Sequence, residues 1–176
     1  MILVAVGANL ERVAGAGAYQ SCDEAVEALA RLPGLRVAAR SRWWRSAPVP
    51  ASTQPDFCNG VVRLEAAAGR AEPEPALLLG MLHGIEAAFG RVRGVPNAAR
   101  TLDLDLLAMG AGGGARRDEP DPVLPHPRAT GRAFVLLPLR EVAPDWVDPR
   151  SGLGVAALVA RLPAVAVGPA AISPLD

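Results

Sequence analysis

Residues 99–109 read ARTLDLDLLAM, and their alternation decides the fold. Leu102, Leu104 and Leu106 recur at every second position, with Asp103 and Asp105 between them. A period of two puts the leucines on one face of a β-strand and both aspartates on the other. Two carboxylates roughly 7 Å apart along a strand repel each other when ionised. A divalent cation would relieve that repulsion, and Mg²⁺ takes one or two carboxylates together with substrate phosphates. Alternation alone equally describes a solvated strand face with ordinary surface aspartates, and by itself favours that plainer reading.

Upstream of this strand, residues 72–90 form the clearest helix of the chain, with prolines near the start and Gly90 at the end. Further back, residues 2–6 are a short apolar strand that stops at Gly7. Residues 21–34 follow as a helix that Ser21 or Asp23 can cap and Pro33-Gly34 ends. Residues 35–45 read as a second strand, 46–56 as a proline-rich loop and 57–66 as a third strand. Residues 91–99 are a loop with two arginines, and 110–122 a flexible connection. Downstream, residues 130–144 and 152–163 are short helical segments. The tail, residues 162–176, is expected to be loose. Strand, helix, strand, strand, helix, strand is the split βαβ order, which gives an antiparallel sheet with helices on one face. For the whole chain this predicts an α+β fold: a single domain over residues 1–176, with a ferredoxin-like split βαβ core and a mainly antiparallel sheet with helices packed on its faces.

Composition narrows the chemistry. The 176 residues carry no net charge, and all 18 basic residues are arginine. Without lysine, neither a phosphate loop of the lysine-bearing kind nor a Schiff-base nucleophile is available. An anionic substrate must be held by arginine, histidine, metal ions or backbone amides. Neutral balance argues against a broad nucleic-acid surface. Cys22 and Cys58 lack metal-ligand spacing and suit a reducing, cytoplasmic setting. The first residues lack the basic n-region of a signal peptide, and no apolar run reaches the length of a membrane span.

Around the aspartates, arginines gather: Arg91 and Arg93 just after the long helix, and Arg100 before the strand. They suit plain salt bridges, or a polyphosphate–metal site that needs cations for the phosphates and carboxylates for the metal. His126 is locked between Pro125 and Pro127, whereas His83 on the helix reads as a structural histidine with no functional role. Phe57 and Asn59 share a strand face, and Phe134 lies on a later helical segment. Two rings and an amide would hold a planar heterocycle, although phenylalanines without context are more often core.

RTLDLDLL (100–107), GRVR (90–93) upstream and LPHPR…RAFVLLPLREVAPD (124–145) downstream together resemble the 6-hydroxymethyl-7,8-dihydropterin pyrophosphokinase family. VGANL (6–10) and QPDFCNGVVRLE (54–65) resemble that family's segments too, in the same order. The resemblance implies transfer of pyrophosphate from ATP to the pterin hydroxymethyl group, releasing AMP, in folate biosynthesis. It implies that Asp103 and Asp105 hold two Mg²⁺ ions and that Arg91 and Arg100 stabilise charge on the phosphates. His83, Glu86, Arg93, His126 and Arg132 would join them in contacting ATP. Phe57 and Phe134 would sandwich the pterin, Asn59 would bond its edge, and Ser46 and Val49 would lie nearby. A cytoplasmic monomer with no nucleic-acid or membrane partner is expected. The family commonly carries Trp-Gly-Pro before the arginine, where this chain has GVPNAA (94–99). Either a lid residue that would cover the pterin is missing, or Trp43 or Trp44 compensates. A non-catalytic relative and a ferredoxin-like nucleic-acid-binding module are the alternatives.

Overall fold

The computed structural model describes residues 1–13, 15–92 and 98–175. Arg93 and most of the GVPNAA segment therefore lie outside the described residues.

Among the described residues, six strands form one sheet in which every pairing is antiparallel. They are β1 (Ile2–Ala8), β2 (Leu35–Arg40), β3 (Trp44–Ser46), β4 (Phe57–Ala66), β5 (Asp103–Ala108) and β6 (Ile172–Pro174). The order is β5-β1-β4-β3-β6, with β2 also paired to β4. Five α-helices join them: α1 (Ala18–Ala30), α2 (Pro75–Ala88), α3 (Ala133–Val142), α4 (Val155–Ala160) and α5 (Ala164–Val167). This is the α+β arrangement the alternation predicts.

Helices cover both faces, not the one face that the split order alone suggests. On one side, Ile2, Val4, Val6, Val62, Leu64, Leu104 and Leu106 pack against Cys22, Ala25 and Leu29 of α1 and Leu78 and Leu82 of α2. On the other, Leu3, Val61 and Leu107 pack against Val135, Leu136 and Leu139 of α3 and Val155 and Leu158 of α4. The central strands are thus apolar in both registers over much of their length, as strands covered twice must be. Asp103 and Asp105 share the second face with buried Leu107. Among the described residues no helix is long and apolar enough to cross a membrane.

Three local expectations change. Helix α1 begins at Ala18 with Gly17 as N-cap, so neither Ser21 nor Asp23 caps it. Ala18 packs on the core and draws the helix a turn earlier, and Asp23 instead accepts from Trp43 Nε1 at 2.8 Å. The strand expected over 35–45 is two strands, because the chain turns between them to bury Trp43 in the first core. Gly60 makes room for that ring: a Cβ there would stand 2.5 Å from Trp43 Cζ3. The tail is not loose, since it carries α5 and then β6, with Ile172 buried against Trp44.

Candidate active site

The sheet itself lays out the site. Gly7 of β1 pairs with Asn59 on one side and Asp103 on the other; Ala5 pairs with Val61 and Asp105. Neighbouring strands lie about 4.8 Å apart, so Asn59 and Asp103 stand about 10 Å apart across Gly7. Gly7 keeps that floor low: a Cβ there would lie 3.0 Å from Asn59 Oδ1 and 4.0 Å from Asp103 Cβ. Above it is a cleft of about 320 Å³. Phe57 and Phe134 line it with Asp103 and Asp105, Arg100 and Arg132 lie between rings and carboxylates, and the 47–56 loop contributes Ala47, Val49 and Gln54.

At the heterocycle end, Asn59 Nδ2 donates to Ser46 Oγ at 2.9 Å, which fixes the amide's orientation. Guanidinium groups reach both rings: Arg100 lies 6.0 Å from the Phe57 centroid and Arg132 lies 5.4 Å from that of Phe134. Val49, in the loop, is 74% exposed and lines the same cleft. Ser46, Val49, Phe57, Asn59 and Phe134 are thus brought together. Trp43 and Trp44 are both buried in core clusters, so neither supplies the cover.

At the acidic end, Asp103 is clamped by two arginines. Arg91 Nη1 bonds its Oδ1, and Arg100 Nη1 bonds its Oδ2 at 2.6 Å. Arg91 gets there through the end of α2. Gly90 adopts φ 76°, its N–H donates to the Ala87 carbonyl, and the Arg91 N–H donates back to the Glu86 carbonyl at 3.1 Å. This Schellman closure needs a left-handed residue, which glycine supplies without strain. It folds Arg91 back over Glu86, whose Oε1 also accepts from Arg91 Nη1.

Glu86 itself is 1% exposed. It accepts from the Leu104 N–H, on the outer edge of β5, at 2.8 Å. Its carboxylate holds β5 and Arg91 inside the protein. His83 is exposed on α2, which packs on the face of the sheet opposite the cleft floor; the structure does not bring it to the cleft.

Asp105 has a different environment from Asp103. Burial raises its carboxyl above the usual aspartate range, and the neighbouring Asp103 charge adds to this; His126, Arg132 and Arg91 oppose it. Burial likewise lowers His126 below the ordinary histidine range. The Arg128 backbone N–H donates to His126 Nδ1 at 3.3 Å, so the neutral ring carries its proton on Nε2. Among the described residues no group of three His, Cys, Asp or Glu side chains is placed to hold a metal. Asp103 and Asp105 are two carboxylate oxygen donors on one strand face, a donor set that fits Mg²⁺ completed by substrate oxygens and water.

Sequence reasoning assigned no role to Asn9. It is 4% exposed, its Oδ1 accepts from the Arg100 N–H at 2.8 Å, and its Nδ2 donates to Gln54 Oε1 and the Pro55 carbonyl. One amide so ties the end of β1 to the rim loop and to the arginine before β5. Its signal was its place in VGANL, directly after the apolar strand.

A paired carboxylate beside converging arginines, next to a two-ring pocket on an antiparallel sheet, defines an enzyme of the phosphate-group-transferring class. The sequence model of the 7,8-dihydro-6-hydroxymethylpterin-pyrophosphokinase family matches residues 3–144, and the chain belongs to that family. It is similar to the 2-amino-4-hydroxy-6-hydroxymethyldihydropteridine pyrophosphokinase of Synechocystis sp., 38% identical over 169 residues, covering 96% of this chain and 80% of the relative. The enzyme of the same name from Methylorubrum extorquens is 43% identical over 70% of this chain and 73% of its own. That from Pseudomonas aeruginosa is 38% identical over 82% and 81%.

Proposed function

We propose that this protein transfers pyrophosphate from ATP to the hydroxymethyl group of 6-hydroxymethyl-7,8-dihydropterin, releasing AMP, as a cytoplasmic, monomeric enzyme of folate biosynthesis. The observation that carries this reading is the row Asn59–Gly7–Asp103, which sets a heterocycle pocket and an acidic pair at opposite ends of one cleft floor. Phe57 and Phe134 hold the pterin ring, and Asn59, oriented by Ser46, reads its edge. Val49 covers it from the rim loop. The hydroxymethyl oxygen is thereby directed toward the acidic end, where the triphosphate lies.

Asp103 and Asp105 would hold the magnesium, two ions, which when bound supply charge neutralisation and alignment of the phosphate oxygens. Arg91 and Arg100 turn from Asp103 to the phosphates, whose charge exceeds that of one carboxylate. His126 donates from Nε2, and Arg132 and Arg93 add positive charge along the chain of phosphates. No serine or cysteine nucleophile is required: positioning and charge stabilisation carry a phosphoryl-type displacement. The hydroxyl oxygen, losing its proton to water, forms its bond to the β-phosphorus as the bond from that phosphorus to the α–β bridging oxygen breaks, and AMP leaves.

The test is direct. Incubated with magnesium, ATP and the hydroxymethyl-dihydropterin, the purified protein forms AMP and pterin diphosphate in equal amounts. ADP in place of AMP, or no product, overturns the reading.

A further inference from the structure

Beyond residue 144, where the family match stops, the chain returns to the cleft. β6 pairs with β3 in the register Trp44–Pro174, Arg45–Ser173 and Ser46–Ile172. Outside the strand, the Ala47 N–H donates to the Ala171 carbonyl at 3.1 Å, and the Leu175 N–H donates to the Trp43 carbonyl at 2.7 Å. Pro174, which has no N–H, sits at a position that does not donate to β3 in this register, where a strand tolerates proline. Ile172 is buried with Trp44, Ala133 and Leu137, and Phe134 packs on that same cluster.

Three of the residues so contacted, Ser46, Ala47 and Phe134, line the heterocycle pocket. Ser46 orients Asn59, Ala47 begins the rim loop, and Phe134 is the helix-borne ring. β3 is only three residues long and pairs with β4 on its other side. With β6 removed it becomes a sheet edge, with one set of backbone groups open to water. Three-residue edges hold their register weakly.

We propose that residues 169–175 are a positioning element for the pterin: they fix Ser46, and through it Asn59, together with the near end of the rim loop and the outer side of Phe134. This rests on the pterin reading above. Residues 169–175 do not themselves touch the substrate. They set the geometry of the groups that do, and leave the acidic, phosphate-binding end of the cleft alone.

The experiment compares the full chain with one ended after Gly168, and with Ile172→Ala, which keeps the strand but removes its buried anchor. Misplacement of the pocket wall raises KM for the pterin about tenfold in the shortened chain, with KM for ATP unchanged. Ile172→Ala shifts it in the same direction by less. Amide hydrogen exchange quickens at 44–47, and a peptide of residues 164–175 added in trans restores both readouts. An unchanged pterin KM in both variants overturns the proposal. So does a parallel fall in kcat and in affinity for both substrates, which marks general loosening. If the shortened chain does not fold, Ile172→Ala decides by the same split. A full chain that makes no AMP strikes the pterin reading itself, whereas a competent full chain with an indifferent tail strikes only this inference.

Discussion

At the residue scale, Asp103 and Asp105 share a strand face yet answer to different forces. Asp103 has both oxygens bonded to guanidiniums. Asp105 is partly buried beside a like charge, and its carboxyl is raised. The consequence for stability has opposite sign at the two sites. A carboxyl whose folded value lies above its unfolded one favours the fold below the ordinary aspartate range. That contribution is lost as pH rises through the raised folded value. At neutral pH the ionised Asp105 therefore works against the fold. Asp105→Asn should resist urea better than the wild type at pH 7, with the gain shrinking as pH falls toward about 4. Turnover should fall at least ~100-fold in the same variant, since a ligand charge for the phosphate end is gone. Asp103→Asn should lose activity similarly but become less stable, because Arg91 and Arg100 then lack their shared carboxylate. Paired urea titrations of the two variants at pH 7 check the opposite signs; a loss of stability in both would show that burial and the neighbouring Asp103 charge do not disfavour the ionised Asp105.

At the scale of elements, a helix end does what a loop residue would otherwise have to do. The Schellman closure at Gly90 delivers Arg91 to Asp103 from the far face of the sheet, around the outer edge of β5. Gly90→Ala puts a Cβ at φ 76°, at a cost of about 1 kcal/mol. Thermal unfolding should register that cost. Turnover should drop more than stability does, because Arg91 is displaced while the core is not; equal stability and activity to wild type would sever the link. The sequence made much of this legible. The period-two leucines marked β5, prolines near the start and Gly90 at the end bracketed α2 within residues 72–90, and FCNGVVRLEA matched β4 to the residue. The illegible parts depended on distant partners. The break between β2 and β3 follows from Trp43 dropping into the space above Gly60, which no local pattern announces. β6 owes its strand form to the open edge of β3, not to its own propensity. Glu86 owes its burial to the Leu104 N–H on another element, a partner that no local pattern announces.

At the scale of the whole molecule, charge is balanced in sum and polarised in place. The 18 arginines and 18 acidic residues cancel, and most described ion pairs lie on the periphery, where each contributes little. The acidic end of the cleft differs, because Arg91, Arg100 and Arg132 converge there on two carboxylates with little solvent around them. Low exposure strengthens such interactions, so an incoming polyphosphate meets a field that the zero net charge conceals. Arginine is the one permanently cationic side chain that can answer it, since the sequence has no lysine. This separates two reagents that on most phosphate-binding proteins act alike. An amine-directed acylating ester has no lysine to attack and should leave turnover intact. A dicarbonyl such as phenylglyoxal, which condenses with guanidinium groups, should abolish turnover. Magnesium with a non-hydrolysable ATP analogue should slow that loss, because the phosphates cover Arg91 and Arg100, while arginines elsewhere on the surface go on reacting. Peptide mapping of the modified protein locates the protected residues. Inactivation that the nucleotide does not slow, or protection that falls on arginines far from the cleft, would remove Arg91 and Arg100 from the phosphate-binding end.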